Sequence, residues 1–168
     1  MIGGIYALEQ LATLALVHTS TVIERIALFV RQHTAQDPDP DQNHNLLCEP
    51  PMFPVQIALS VLGRLHKSDP HATIDLRDCD LEYASFVGNF DGAQFDHSWL
   101  RGATFAGASL KSASFKNASL VQADFTSCVS AEGANWDEAN RADSIANPEV
   151  LRVWQAFAKS RDSNNTSK

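Results

Sequence analysis

Broken into fives, residues 88–127 read GNFDG AQFDH SWLRG ATFAG ASLKS ASFKN ASLVQ ADFTS. The third position of each block is apolar: Phe90, Phe95, Leu100, Phe105, Leu110, Phe115, Leu120 and Phe125. Two residues earlier stands a small side chain: Gly88, Ala93, Ser98, Ala103, Ala108, Ala113, Ala118 and Ala123. Upstream, Leu76, Leu81 and Phe86 keep the spacing, with one residue missing between Phe86 and Phe90. Downstream, Ser130 takes the next centre, and Ala134-Asn135-Trp136 resumes after one inserted residue.

A period of five excludes the simple secondary structures. In an α-helix five residues rotate about 140° beyond a full turn, so no stripe forms. In a straight strand the odd spacing sends successive centres to opposite faces. All centres face one axis only if the chain bends at every block, with the small residues sharing a narrow interior. The solution is a solenoid whose coils stack by backbone hydrogen bonds, roughly 4.8 Å apart. No proline occurs from residue 71 to 147, as a hydrogen-bonded ladder requires.

The block pattern is a small residue, a polar one, Leu or Phe, then two free positions. Over residues 72–141 it resembles the pentapeptide-repeat proteins. The resemblance implies a mainly β fold, a right-handed quadrilateral β-helix with four blocks per coil, and centres pointing inward. Four columns follow: Phe86, Phe105, Phe125; Leu81, Leu100, Leu120; Leu76, Phe95, Phe115; and Phe90, Leu110, Ser130. An inward Ser130 marks the end of the regular core.

Helical patterns flank the repeats. Ile5, Leu8, Leu11, Ala12 and Ala15 form one stripe, and Val22, Ile23, Ile26, Phe29 and Val30 another. Thr21 with Glu24 reads as a capping box, giving a helical hairpin over 1–34. Residues 35–53 form a polar, proline-marked linker. A helix over 54–66, opened by Pro54, caps the solenoid of 72–146. Asn147 as N-cap and Pro148 as N1 start a capping helix over 147–159, with Trp154 and Phe157 on its apolar face. Residues 160–168 read as a disordered tail. MIGGIYALEQLA, ALFVRQH and VQIALSVLGRL resemble the helical region before the repeats in a bacterial group of the same family. That likeness implies a shortened version of longer relatives that carry membrane spans. This chain has no run of roughly 18 apolar residues, and a cytoplasmic location is expected.

The chain has 168 residues and a formal charge of −7, with 44% apolar residues. That composition supports a buried core and disfavours a general nucleic-acid binder, which needs clustered basic residues. Residues 71–146 hold 11 acids and 5 bases, net −6. Asp37, Asp39 and Asp41 fit a calcium loop poorly, lacking its Gly and its terminal Glu. His33, His44 and Cys48 match no zinc spacing. Cys79 and Cys128 fall at small interior positions and read as core fillers. No catalytic constellation, cofactor motif or metal site is expected.

The sharper lead is Tyr83, Trp99 and Arg101, large side chains at outward positions of the Leu81 face. These residue types are enriched in binding hot spots. The alternative is internal: the N-terminal helices or the linker cover this face. The expected function is a non-enzymatic protein–protein interaction scaffold with an unidentified protein partner. The family suggests one alternative, a DNA-mimicking modulator of a topoisomerase such as gyrase. Size weighs against it, since thirteen centres give a rod only ~16 Å long, while one turn of duplex is ~34 Å.

Overall fold

The computed structural model describes residues 2–14, 18–36 and 52–165. Helices α1 (Ile2–Thr13), α2 (Thr19–His33) and α3 (Phe53–Leu65) precede the repeats. Four two-residue strands follow, β1 (Gly88–Asn89), β2 (Ala108–Ser109), β3 (Asp124–Phe125) and β4 (Ile145–Ala146). Helix α4 (Pro148–Asn165) comes last.

The repeat segment is held by four parallel ladders of backbone pairs. One joins Asp75, Gln94, Ser114 and Asn135, and the next joins Asp80, Trp99, Ser119 and Asn140. A third joins Ser85, Thr104, Asp124 and Ile145, ending in the β3–β4 pair. The fourth joins Asn89, Ser109 and Ser130, starting in the β1–β2 pair. Each paired residue except Asn140, which precedes Arg141, sits just before an apolar centre, so four bends complete a coil. Two positions after most centres the backbone turns left-handed, as at Asp78, Tyr83, His97, Ser112, Asn117 and Gln122. That conformation costs an L-residue roughly 1–2 kcal/mol, and glycine takes it at several equivalent corners, including Gly92 and Gly107.

Inside, the columns form as the period demands, with one correction. Ser130 is not a centre: it pairs with Ser109 in the ladder, and its carbonyl accepts the Leu110 N–H at 2.8 Å. The inserted residue is the exposed Val129, so buried Ala131 lies beneath Leu110. Two neighbouring small residues made either register sterically acceptable. The core therefore does not end at Ser130. Phe86, Phe105 and Phe125 stack at ring distances of 4.9 and 4.5 Å. Phe95, Phe115 and Trp136 stack at 4.9 and 4.6 Å, edge-on to the first column. Each such ring contributes about 1.5–3 kcal/mol by burial before entropy is subtracted.

The flanking helices differ from their sequence patterns at three points. Helix α2 starts at Thr19 after His18, so Thr21 and Glu24 lie inside it and make no capping box. The Val22 N–H already bonds the His18 carbonyl, which fixes that earlier start. In α1 only Ile5 and Ala12 are buried, while Leu8 and Leu11 keep 37% and 39% exposure. The helix meets α2 and α3 on one side, pinned there by the Glu9–Arg64 ion pair at 2.6 Å. Helix α4 runs to Asn165, past the tail expected from 160, because no Gly or Pro stops it. Asn147 caps it as expected, its Oδ1 accepting the Val150 N–H at 2.9 Å.

Helices α2 and α3 close the first coil. Gln56 of α3 acts as a strand in miniature: its amide donates to the Ser85 carbonyl at 2.6 Å and accepts the Ser85 N–H at 3.0 Å. Gly63 lies against Val87 and Gly88 so closely that a Cβ on it would overlap the Val87 carbonyl oxygen.

Candidate functional site

Trp99 stands in the middle of the second ladder. Its N–H donates to the Cys79 carbonyl at 2.9 Å, and its carbonyl accepts the Leu81 N–H at 2.8 Å. Both backbone groups are used in pairing, so the indole leaves the ladder on its outer face, where it is half-buried. Tyr83 turns the adjacent corner with φ 58°. Its N–H donates to the Arg101 carbonyl at 2.8 Å, and its half-buried ring lies over Gly102. A Cβ at residue 102 would come within 2.5 Å of that ring. Arg101, beside Gly102, is exposed. The coil thus brings Tyr83, Trp99 and Arg101 onto one side. Tyr83 and Trp99 each make interactions within the chain, so neither is a loose surface side chain.

The lower rim of this face is occupied. The Thr34 carbonyl accepts the Asp80 N–H at 2.6 Å, and Ala35 pairs antiparallel with Cys79. The Gln36 amide donates to the carbonyls of Cys79 and His97, at 3.2 and 2.8 Å. The first two residues of the linker assigned to 35–53 therefore belong to the coil's edge, a feature no sequence pattern announced. Residues 37–51 lie outside the described residues, and with them Asp37, Asp39, Asp41, His44 and Cys48.

A second charged group closes the neighbouring ladder. The Asp75 carboxylate takes Arg31 at 2.8 Å and Arg77 at 2.9 Å. The hydrogen bond from Arg77 leads in holding this carboxyl below its ordinary range, with Arg31 adding to it against the opposing effect of burial. Cys79 and Cys128 are buried free thiols, and burial pushes both up to about 11. Such thiols are inert packing groups rather than nucleophiles. Among the described residues no three His, Cys, Asp or Glu side chains converge as metal ligands.

Charge on the corners alternates from coil to coil. One corner stacks Arg77, Asp96, Lys116 and Asp137, and another stacks Asp91, Lys111 and Glu132. Carboxylates here also serve the backbone: Asp91 accepts the Lys111 N–H at 2.9 Å and Asp96 the Lys116 N–H at 3.0 Å.

A family model described as pentapeptide repeats matches residues 89–126, in eight copies. No curated protein matches the sequence. Among solved structures, the chain is similar to a pentapeptide-repeat protein from the Arabidopsis thaliana thylakoid lumen. Identity is 27% over 43% of this chain and 52% of that one, with a TM-score of 0.34. A pentapeptide-repeat protein of the cyanobacterium Cyanothece gives 26% identity over 45% of this chain and 51% of that one, with a TM-score of 0.22. HetL of Nostoc, a pentapeptide-repeat protein involved in heterocyst differentiation regulation, gives 28%, 42% and 33%, with a TM-score of 0.21. The aligned part spans about half the length of the first two and a third of the last. No described helix is long and apolar enough to cross a membrane.

Proposed function

Taking as premise that this is a pentapeptide-repeat protein, we propose that it is a non-enzymatic scaffold that binds a protein partner through the Trp99 face. In this reading the repeats wind as a right-handed quadrilateral β-helix. Segments 54–66 and 147–159 serve it as end caps, and 1–34 is a helical hairpin. The observation that carries the proposal is the ladder-pinned indole of Trp99. It stands on the outer face that also carries exposed Arg101 and the Tyr83 ring, which lies over Gly102. A rigid aromatic held in place by backbone pairing loses little entropy on binding, which suits a hot spot. The alternating corner charges weigh against mimicry of DNA, whose phosphates present one sign throughout.

The test is affinity capture from the native cell with wild type, Trp99→Ala and Arg101→Ala. Loss of the same partner in both variants, with thermal stability within a few degrees of wild type, supports the proposal. A Trp99→Ala protein that melts far lower yet captures the same partner would make the indole a packing residue and sink it.

A further inference from the structure

Three side-chain N–H donors are buried together where α4 meets the coil. Trp136 ends the stacked column of Phe95 and Phe115 and is 1% exposed. Trp154 comes down from α4 edge-on to it, with ring centroids 5.5 Å apart. Arg141 lies against both, its guanidinium carbon 5.9 Å from the Trp136 ring and 5.0 Å from the Trp154 ring. Trp136 Nε1, Trp154 Nε1 and Arg141 Nη1 are each closed to solvent, and none has a hydrogen-bond partner among the described residues.

We propose that this cluster binds a small inorganic anion of chloride size, held by the Arg141 guanidinium and the indole N–H groups of Trp136 and Trp154. The donor set selects the ligand. An indole N–H and a guanidinium can only donate, so the partner they lack is an acceptor. No neighbouring carboxylate compensates the Arg141 charge, since burial is the one influence that displaces its pKa. A water molecule accepts from these donors but leaves that charge uncompensated, whereas an anion does both. Burial sets the size. The three nitrogens are closed to solvent, so a carboxylate carried on a partner's chain does not reach them. A single ion passes when the half-buried side chains of Trp154 and Arg141 move aside. Once bound, it joins α4, through Trp154, to the coil, through Trp136 and Arg141. Nothing in this site depends on a partner at the Trp99 face.

The chain has three tryptophans, so Trp99 serves as the internal control. Sodium chloride is exchanged for sodium methanesulfonate at constant ionic strength around the isotope-labelled full chain. The indole N–H signals of Trp136 and Trp154 are expected to move along one saturable curve while that of Trp99 stays fixed. The thermal midpoint is expected to rise with chloride over the same range. Arg141→Gln is expected to abolish both responses. Trp154→Phe keeps a ring on α4 but removes its N–H, and is expected to weaken chloride binding roughly tenfold. Signals that do not move, that drift with Trp99 without saturating, or that respond equally in Arg141→Gln would each overturn the proposal and leave the donors to ordered water. Should Arg141→Gln fail to fold, unchanged chloride affinity in Trp154→Phe overturns it alone.

Discussion

The two ends of the coil are finished in different ways. At the first coil, all four ladders meet a dedicated group. Arg31 grips the Asp75 carboxylate, the Thr34 carbonyl takes the Asp80 N–H, Gln56 pairs with Ser85, and Gly63 packs on Gly88. At the last coil, the Asn147 amide donates to the Cys128 carbonyl at 2.8 Å, while Trp154 covers the core edge-on, 5.5 Å from Trp136. Where α4 meets the coil, Trp136 Nε1, Trp154 Nε1 and Arg141 Nη1 are buried without a hydrogen-bond partner among the described residues. The Arg141 guanidinium stacks 5.0 Å from the Trp154 ring, and burial lowers its pKa. One end continues two of the four ladders by hydrogen bonds, from Thr34 and Gln56. The other is a lid that holds three such groups against one, His66 Nδ1, at the first end, each at about 1–3 kcal/mol.

The comparison breaks if substitutions at the two ends weigh equally. Gly63→Ala is expected to have the largest effect. Its Cβ meets backbone at Val87, which cannot rotate away, so roughly 3 kcal/mol or more is lost despite Ala's better helix propensity. Gln56→Leu comes next. It strands the Ser85 N–H and carbonyl together, for about 2 kcal/mol. Asn147→Ala at the other end removes a helix cap and one carbonyl bond, for about 1 kcal/mol. Urea unfolding of the three variants gives the order directly. An Asn147→Ala loss as large as that of Gly63→Ala would mean the lid is as tightly coupled as the seal.

The coil was legible in the sequence because two linked positions repeat at one period over eight blocks, and no helix or straight strand accommodates that period. Where the period breaks, legibility falls. Val129 could not be identified as the extra residue, since Ser130 and Ala131 both fit the interior, and only backbone pairing distinguishes them. The end seals were invisible for another reason. Gln56 and Ser85 are 29 residues apart, Arg31 and Asp75 are 44 apart, and neither pair belongs to a pattern. Tyr83, Trp99 and Arg101 could be assigned to one side from the period alone. That Gly102 makes room for the Tyr83 ring depends on stacking between coils, which a one-dimensional reading does not weigh. The capping role of Asn147 was legible because every element of it is local.

Acid provides the mildest way to sharpen the contrast between the ends. The Asp75 carboxyl is held below its ordinary value, chiefly by Arg77 and further by Arg31. A carboxyl with a depressed folded-state pKa stabilises the fold fully above its unfolded value, near 3.9. That contribution fades as pH falls through the lower, folded-state value. Because Asp75 is a quarter exposed, solvent screening keeps the effect smaller than that of Gln56→Leu. Between pH 5 and 2 the wild-type protein is therefore expected to lose more stability than Asp75→Asn, which has no proton to gain there. Hydrogen exchange localises the change. The Leu76 and Asp80 amides, beside the Arg31–Asp75 contact, are expected to lose protection before the Val150 amide at the far end. Superimposable acid profiles for the two proteins, or earlier loosening at Val150, would remove the Asp75 group from the seal.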